Sequence, residues 1–131
     1  MVIDFMNESL TNLVKIVFEA LDGFVTLHPM QVLKHPLADS RLSFVLTRVG
    51  SKSKTEYIGV IIRDWKRTVG VGQIHKAEEL LQTCPKLDRV LIVSSLGFSY
   101  SASRLAEKVG IGLISRGELV SLFQKRVELL F

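Results

Sequence analysis

The run Tyr57-Ile58-Gly59-Val60-Ile61-Ile62 is uncharged and places apolar residues at both odd and even positions. Successive side chains of a strand point to opposite faces of a sheet, so a run of this kind needs cover on both sides. It predicts a central strand with helices packed above and below.

The neighbouring segments are read from that strand outward. Leu42 to Val49 and Glu56 to Arg63 are strand-like, and the polar turn Gly50-Ser51-Lys52-Ser53-Lys54 joins them as an antiparallel hairpin. Upstream, Leu10, Leu13, Val14, Val17, Phe18 and Leu21 recur at helical spacing, with Asn7 or Ser9 as a cap and Asp22-Gly23 as a stop. Phe24 to His28 reads as a short strand, and Met30 to Ser40, near Pro29 and Pro36, reads as a loop. Downstream, Gln73 to Cys84 has Ile74, Ala77, Leu80 and Leu81 on one helical face and stops before Pro85. Arg89 to Ser94 is the clearest strand signal in the chain. Ser101 to Val109 is a helix closed by Gly110, Ile111 to Ile114 a short strand, and a last helix runs from Arg116 with Leu119, Leu122, Phe123, Val127 and Leu130 as its stripe.

Alternation of strand and helix implies parallel crossovers. The expected fold is therefore α/β: a mixed sheet of about five strands flanked by helices, in the order α-β-β-β-α-β-α-β-α, as one domain over residues 1–131. No internal repeat and no low-complexity tract interrupts it.

Composition removes several function classes. The hydrophobic fraction is 47%, but no apolar run is long enough to span a bilayer, and the start of the chain lacks the basic and apolar regions of a secretion signal, so a cytoplasmic, non-membrane protein is expected. The single cysteine, Cys84, cannot form an internal disulfide, and with only His28, His35 and His75 no zinc spacing exists. Cys84 reads as a small buried hydrophobe at a helix end, and His75 as a surface residue. Gly70-Val71-Gly72 is not followed by Gly-Lys-Ser/Thr, so it reads as a turn into a helix and not as a phosphate loop. Ser94, Ser95 and Ser99 read as strand-end and capping hydroxyls, since none lies in a nucleophile elbow. The net charge of +4 is compatible with nucleic acid without requiring it.

The segment Arg63-Asp64-Trp65-Lys66-Arg67-Thr68-Val69-Gly70-Val71 after the central strand resembles the Mrr-type branch of the restriction-endonuclease-like, or PD-(D/E)XK, nucleases, and more distantly the archaeal Holliday-junction resolvases. Val90-Leu91-Ile92-Val93-Ser94-Ser95-Leu96-Gly97-Phe98-Ser99, followed by Ala102, Ala106, Gly110-Ile111 and Leu113, is similar to that branch's strand, Gly-Phe/Tyr-Ser/Thr turn and Ala-rich helix. The resemblance covers roughly residues 10–120 and implies the restriction-endonuclease-like sheet. In that family an Asp and a Glu-x-Lys hold one or two Mg²⁺ ions, which polarise the phosphate and activate water. The resemblance places the family's Asp at Ser43, its Glu at Ile61 and its Lys at Arg63. An isoleucine cannot ligate magnesium, and an arginine does not shed its proton near neutral pH.

Three readings follow. The first is a nuclease-fold domain with a degenerate active site and no cofactor, which binds DNA or RNA or assembles with a protein of nucleic-acid metabolism. Its candidate contacts are Arg48, Lys52 and Lys54 at the hairpin, with Arg63, Lys66 and Arg67 beside Trp65 as an aromatic platform for a base. The second is a Mg²⁺-dependent nuclease with relocated residues, for which Asp39, Glu56, Asp64 and Lys66 are the candidates. It needs a bulge to bring residue 64 onto the face of residues 61 and 63, and carboxylates within about 8 Å of one another. The third is a protein-interaction subunit. Val127-Glu128-Leu129-Leu130-Phe131, with Leu129 and Phe131 beside the main stripe, suggests an apolar end that a homodimer would cover.

Overall fold

The computed structural model describes residues 7–130, apart from the side chains of residues 51 and 127–130. Five strands form one sheet in the order β1-β2-β3-β4-β5: Val25–Leu27, Phe44–Val49, Thr55–Arg63, Arg89–Ser94 and Gly112–Ser115. β1, β2 and β3 pair antiparallel, and β3, β4 and β5 pair parallel, so β3 is both the centre of the sheet and the point where its sense changes.

Period-two alternation on β3 and β4 divides the core as the Tyr57–Ile62 run requires. Ile58, Val60 and Val93 face a layer built from α1 (Leu10–Lys15), its continuation Ile16–Leu21, and α6 (Arg116–Leu130), where Leu10, Leu13, Val14 and Leu119 are buried. Ile61, Val90 and Ile92 face the other layer, built from α4 (Val71–Thr83) and α5 (Tyr100–Val109), where Ile74, Ala77, Leu80, Ala102 and Ala106 are buried. Gly59 is small because a Cβ there would lie 2.9 Å from the Cδ2 of Leu42, which fills that part of the core with Leu87.

Local signals set most boundaries. The Ser9 hydroxyl accepts from the Asn12 N–H to start α1, and the Ser99 hydroxyl accepts from the Ala102 N–H to start α5. Gly110 closes α5 with φ of 80°. Cys84 follows α4 as a buried residue, and His75 is exposed on α4.

Two segments differ from expectation. The first helix changes to π-helical geometry over Ile16–Leu21 before Gly23 ends it at φ of 75°. Residues 30–40, expected as a loop, contain two short helices, α2 (Pro29–Val32) and α3 (Pro36–Arg41). Each proline sits at the first helical position, where its missing N–H costs nothing. The preceding His28 and His35 cap the helices, their Nδ1 atoms accepting from the N–H groups of Met30 and Leu37. No helix among the described residues is long and apolar enough to cross a membrane. The side chains of residues 127–131, on which the homodimer expectation rests, lie outside the described residues.

Candidate nucleic-acid interface

The parallel half of the sheet brings Arg63, Ser94 and Ser115 into register at the C-terminal ends of β3, β4 and β5. In open α/β sheets, ligands bind outside the carboxyl ends of the strands. The two loops that leave β3 and β4 are tied together here. Val69, fully buried, donates its N–H to the Gly97 carbonyl at 3.0 Å and accepts from the Ser99 N–H at 2.9 Å. The buried Ser94 hydroxyl donates to the Gly97 carbonyl at 2.8 Å, and the Ser95 hydroxyl donates to Asp64. This end of the sheet is therefore held by hydrogen bonds and not left as free loop.

The three positions matched to the family's catalytic set do converge. Phe44 pairs with Val60, so Ser43 stands opposite Ile61. Its N–H donates to the Val60 carbonyl at 2.8 Å, and its hydroxyl accepts from the Ile62 N–H at 3.1 Å. Ile61 is 2% exposed and belongs to the apolar core beneath α4. A serine, a buried isoleucine and an arginine supply no carboxylate, so this donor set does not fit a magnesium ion.

The relocated set, by contrast, does not converge. Glu56 lies at the start of β3 and Asp64 just past its end, about 26 Å away at the rise of a strand. Glu56 is also committed to Arg89 and to Arg48, the latter at 3.4 Å. Asp39 sits on α3 and pairs with His28 at 3.7 Å, while Lys66 is exposed on the loop after β3. Among the described residues no group of three or more His, Cys, Asp or Glu side chains is placed to hold a metal. Asp39, Glu56, Asp64 and Lys66 therefore cannot share one ion, because magnesium–oxygen distances are near 2.1 Å.

The expected basic surface is split in the same way. Arg48, Lys52 and Lys54 lie at the hairpin end, in and beside an open cleft that also contains Asp22, Glu56 and Asp88. Arg48 there donates to the Asp22 carbonyl at 3.2 Å and stacks over Phe24 at 4.2 Å. Charges of both signs and committed partners make this end a poor phosphate surface. Arg63, Trp65, Lys66 and Arg67 lie at and beyond the opposite end of β3.

There the geometry is more specific than the sequence suggested. Arg63 donates from Nε to the Gln73 side-chain carbonyl at 3.0 Å and from Nη1 to the Ile62 carbonyl at 3.1 Å. The Trp65 ring packs partly against the core and has the guanidinium of Arg63 at 5.4 Å and that of Arg67 at 4.6 Å from its centroid. Trp65 thus serves first to gather two arginines, a different role from an open platform for a base. Burial pushes the Arg63 pKa down from its ordinary value. The helix that follows adds to the positive character: α4 begins at Gly70 without a side-chain cap, and its first turn has no acidic residue.

Sequence reasoning missed Gln73, Ser95 and the pair Tyr100–Arg104. Gln73 was legible only as the start of a helix; its contact with Arg63 exists because α4 packs back across the end of β3. Tyr100 is 75% exposed, and its hydroxyl accepts from Arg104 at 2.9 Å, one helical turn on. That spacing of tyrosine and arginine is visible in the sequence and was the available signal.

Comparison with known proteins agrees with this architecture. The solved structures similar to this chain include a crystal structure of a protein of unknown function, AF1548, with a TM-score of 0.57, 17% identity, and coverage of 79% of this chain and 54% of that one. The apo form of EndoMS has a TM-score of 0.47 and 16% identity, covering 82% of this chain and 45% of that one. The chain thus spans about half the length of these two structures. No curated protein matches the sequence. The catalytic-domain model of the Mrr type, described as a restriction endonuclease, matches residues 5–123, and with the five-stranded mixed sheet and its helical layers this places the chain in the restriction-endonuclease family.

Proposed function

We propose that this domain binds nucleic acid without cleaving it, through the surface at the C-terminal ends of β3 and β4. The observation that carries the reading is the exchange of charge at the family's active position. The positions that the resemblance matches to the family's carboxylates hold Ser43 and the buried Ile61, while Arg63, Lys66 and Arg67 follow at the end of β3, two of them around Trp65. A site that once needed a cation to approach phosphate now presents cations of its own, and phosphate contacts from arginine and lysine dominate nucleic-acid affinity.

The test is a mobility-shift titration with labelled duplex, branched and single-stranded DNA and RNA, in EDTA and in magnesium, at low and physiological salt. Expected are shifts that weaken steeply with salt, with no cleavage under either condition. Cleavage that requires magnesium would overturn the reading, as would the lack of any shift at low salt.

A further inference from the structure

Arg63 is a half-buried guanidinium with no carboxylate partner among the described residues. The ion pairs among the described residues join His28 to Asp39, Arg41 to Glu79, Arg48 and Arg89 to Glu56, and Arg126 to Asp22. Asp64, its neighbour in the chain, accepts from the Ser95 hydroxyl instead. A partly desolvated cation is unfavourable unless an anion or a set of acceptors compensates it. The protein supplies only part of that compensation, and the remaining Arg63 donors are open to solvent. Gln73 takes the Nε hydrogen and the Ile62 carbonyl takes one Nη1 hydrogen, which leaves both Nη2 hydrogens and the second Nη1 hydrogen without a partner among the described residues.

Those two bonds also orient the group. An arginine fork is planar, so fixing Nε and one Nη1 fixes the direction of the remaining donors, and that fork matches two oxygens of one phosphate. Arg67 is brought to the same indole ring, and the two guanidinium carbons are at most about 10 Å apart by their distances of 5.4 Å and 4.6 Å to the ring centroid. Lys66 between them is exposed.

We propose that Arg63, assisted by Arg67, seats a phosphate group of nucleic acid directly, with no metal ion between protein and phosphate. This rests on the nucleic-acid-binding reading above and adds the ligand group and the residue that takes it. The guanidinium occupies the family's lysine position but supplies the positive charge that the family draws from its ion. Magnesium is then a competitor for the phosphate and not a bridge to it.

Trp65 is the only tryptophan in the chain, so its fluorescence reports on the two arginines stacked against it. The experiment titrates the whole protein with inorganic phosphate and with oligonucleotides that carry or lack a 5′-phosphate, in EDTA and in magnesium at matched ionic strength, and runs mobility shifts in parallel. Expected is a saturable Trp65 signal in EDTA that magnesium does not strengthen. Arg63→Gln should weaken oligonucleotide binding at least about tenfold, and Arg63→Lys, which keeps the charge but loses the fork, by less. Arg67→Gln, on an exposed loop, should weaken it severalfold and serves if the Arg63 variants melt early. Preference for the phosphorylated oligonucleotide identifies a terminal phosphate as the ligand, and equal binding identifies an internal one. A signal that needs magnesium overturns the proposal. So do mobility shifts that persist in Arg63→Gln with Trp65 silent, which would leave nucleic-acid binding intact but located elsewhere. Absence of binding by either readout would overturn the broader function as well.

Discussion

Placing a carboxylate where the resemblance expects one, by Ile61→Glu, separates a core position from an open ligand position. Ile61 is 2% exposed, pairs with Ile92 on β4 and lies in the same core cluster as Val45, both of which are fully buried. Burial of an isoleucine side chain contributes about 1.5–3 kcal/mol, and an unpartnered polar group in the same space costs about 1–3 kcal/mol more. The sum, about 2.5–6 kcal/mol, is a large part of the roughly 5–15 kcal/mol that holds a domain together. At roughly 3–5 °C per kcal/mol for a chain of this length, the melting temperature should fall by about 8–30 °C. The introduced carboxyl would be desolvated, so its folded-state pKa is raised above the unfolded value of about 4.3. The unfolded state therefore ionises first, and the deficit grows as pH rises above that value until the folded pKa is passed. Thermal melts followed by circular dichroism at pH 4.5 and 7.5, in EDTA and in magnesium, measure this, with Ile61→Val as a control expected to cost about 0.5–1.5 kcal/mol. An Ile61→Glu variant that melts within about 3 °C of the parent at pH 7.5, or that magnesium stabilises, would refute the reasoning, because position 61 would then be open to water and metal.

Two further outcomes follow from the packing. Burial pushes the Cys84 thiol pKa up, so native protein at pH 8 should resist iodoacetamide while urea-unfolded protein reacts fully, and rapid labelling of the native form would contradict the structure. The stability linked to that thiol is present below its unfolded pKa of about 8.5 and is lost as pH rises through the folded value, a dependence that Cys84→Ala should remove from the alkaline limb of the stability curve. At Gly110, with φ of 80° and no atom within 4 Å of an added Cβ, Gly110→Ala meets a backbone penalty alone. It should cost about 1–2 kcal/mol in a denaturant titration with an unchanged m-value, and no loss would mean that α5 ends otherwise.

The alternation of apolar residues placed β3 and β4 correctly because burial on two faces leaves a local record in the sequence. Proline left a misleading one. Pro29 and Pro36 were read as breakers, yet at a first helical position proline starts a helix, and the histidine caps that identify those positions use ring nitrogens, not the usual hydroxyls or carboxylates. The separation of Glu56 from Asp64 was legible in principle, since both ends of β3 were assigned and strand rise alone sets them far apart. Treating the hairpin lysines and the Trp65 segment as one surface ignored that same length.

By itself, the sequence determined the layered α/β sheet, the central place of β3, and the ends of α4 and α5, because periodicity and capping chemistry are local properties. The tertiary structure decided what the remaining polar residues do. It set Gln73 on Arg63, gathered Arg63 and Arg67 around Trp65, and tied the loops after β3 and β4 together through Val69, while pairing Arg48 with Glu56 at the far end of the sheet. These contacts join residues on different elements, or turn on which way a loop folds back. Their geometry is fixed by how α4 and α5 pack across the ends of the strands, which no short stretch of sequence records.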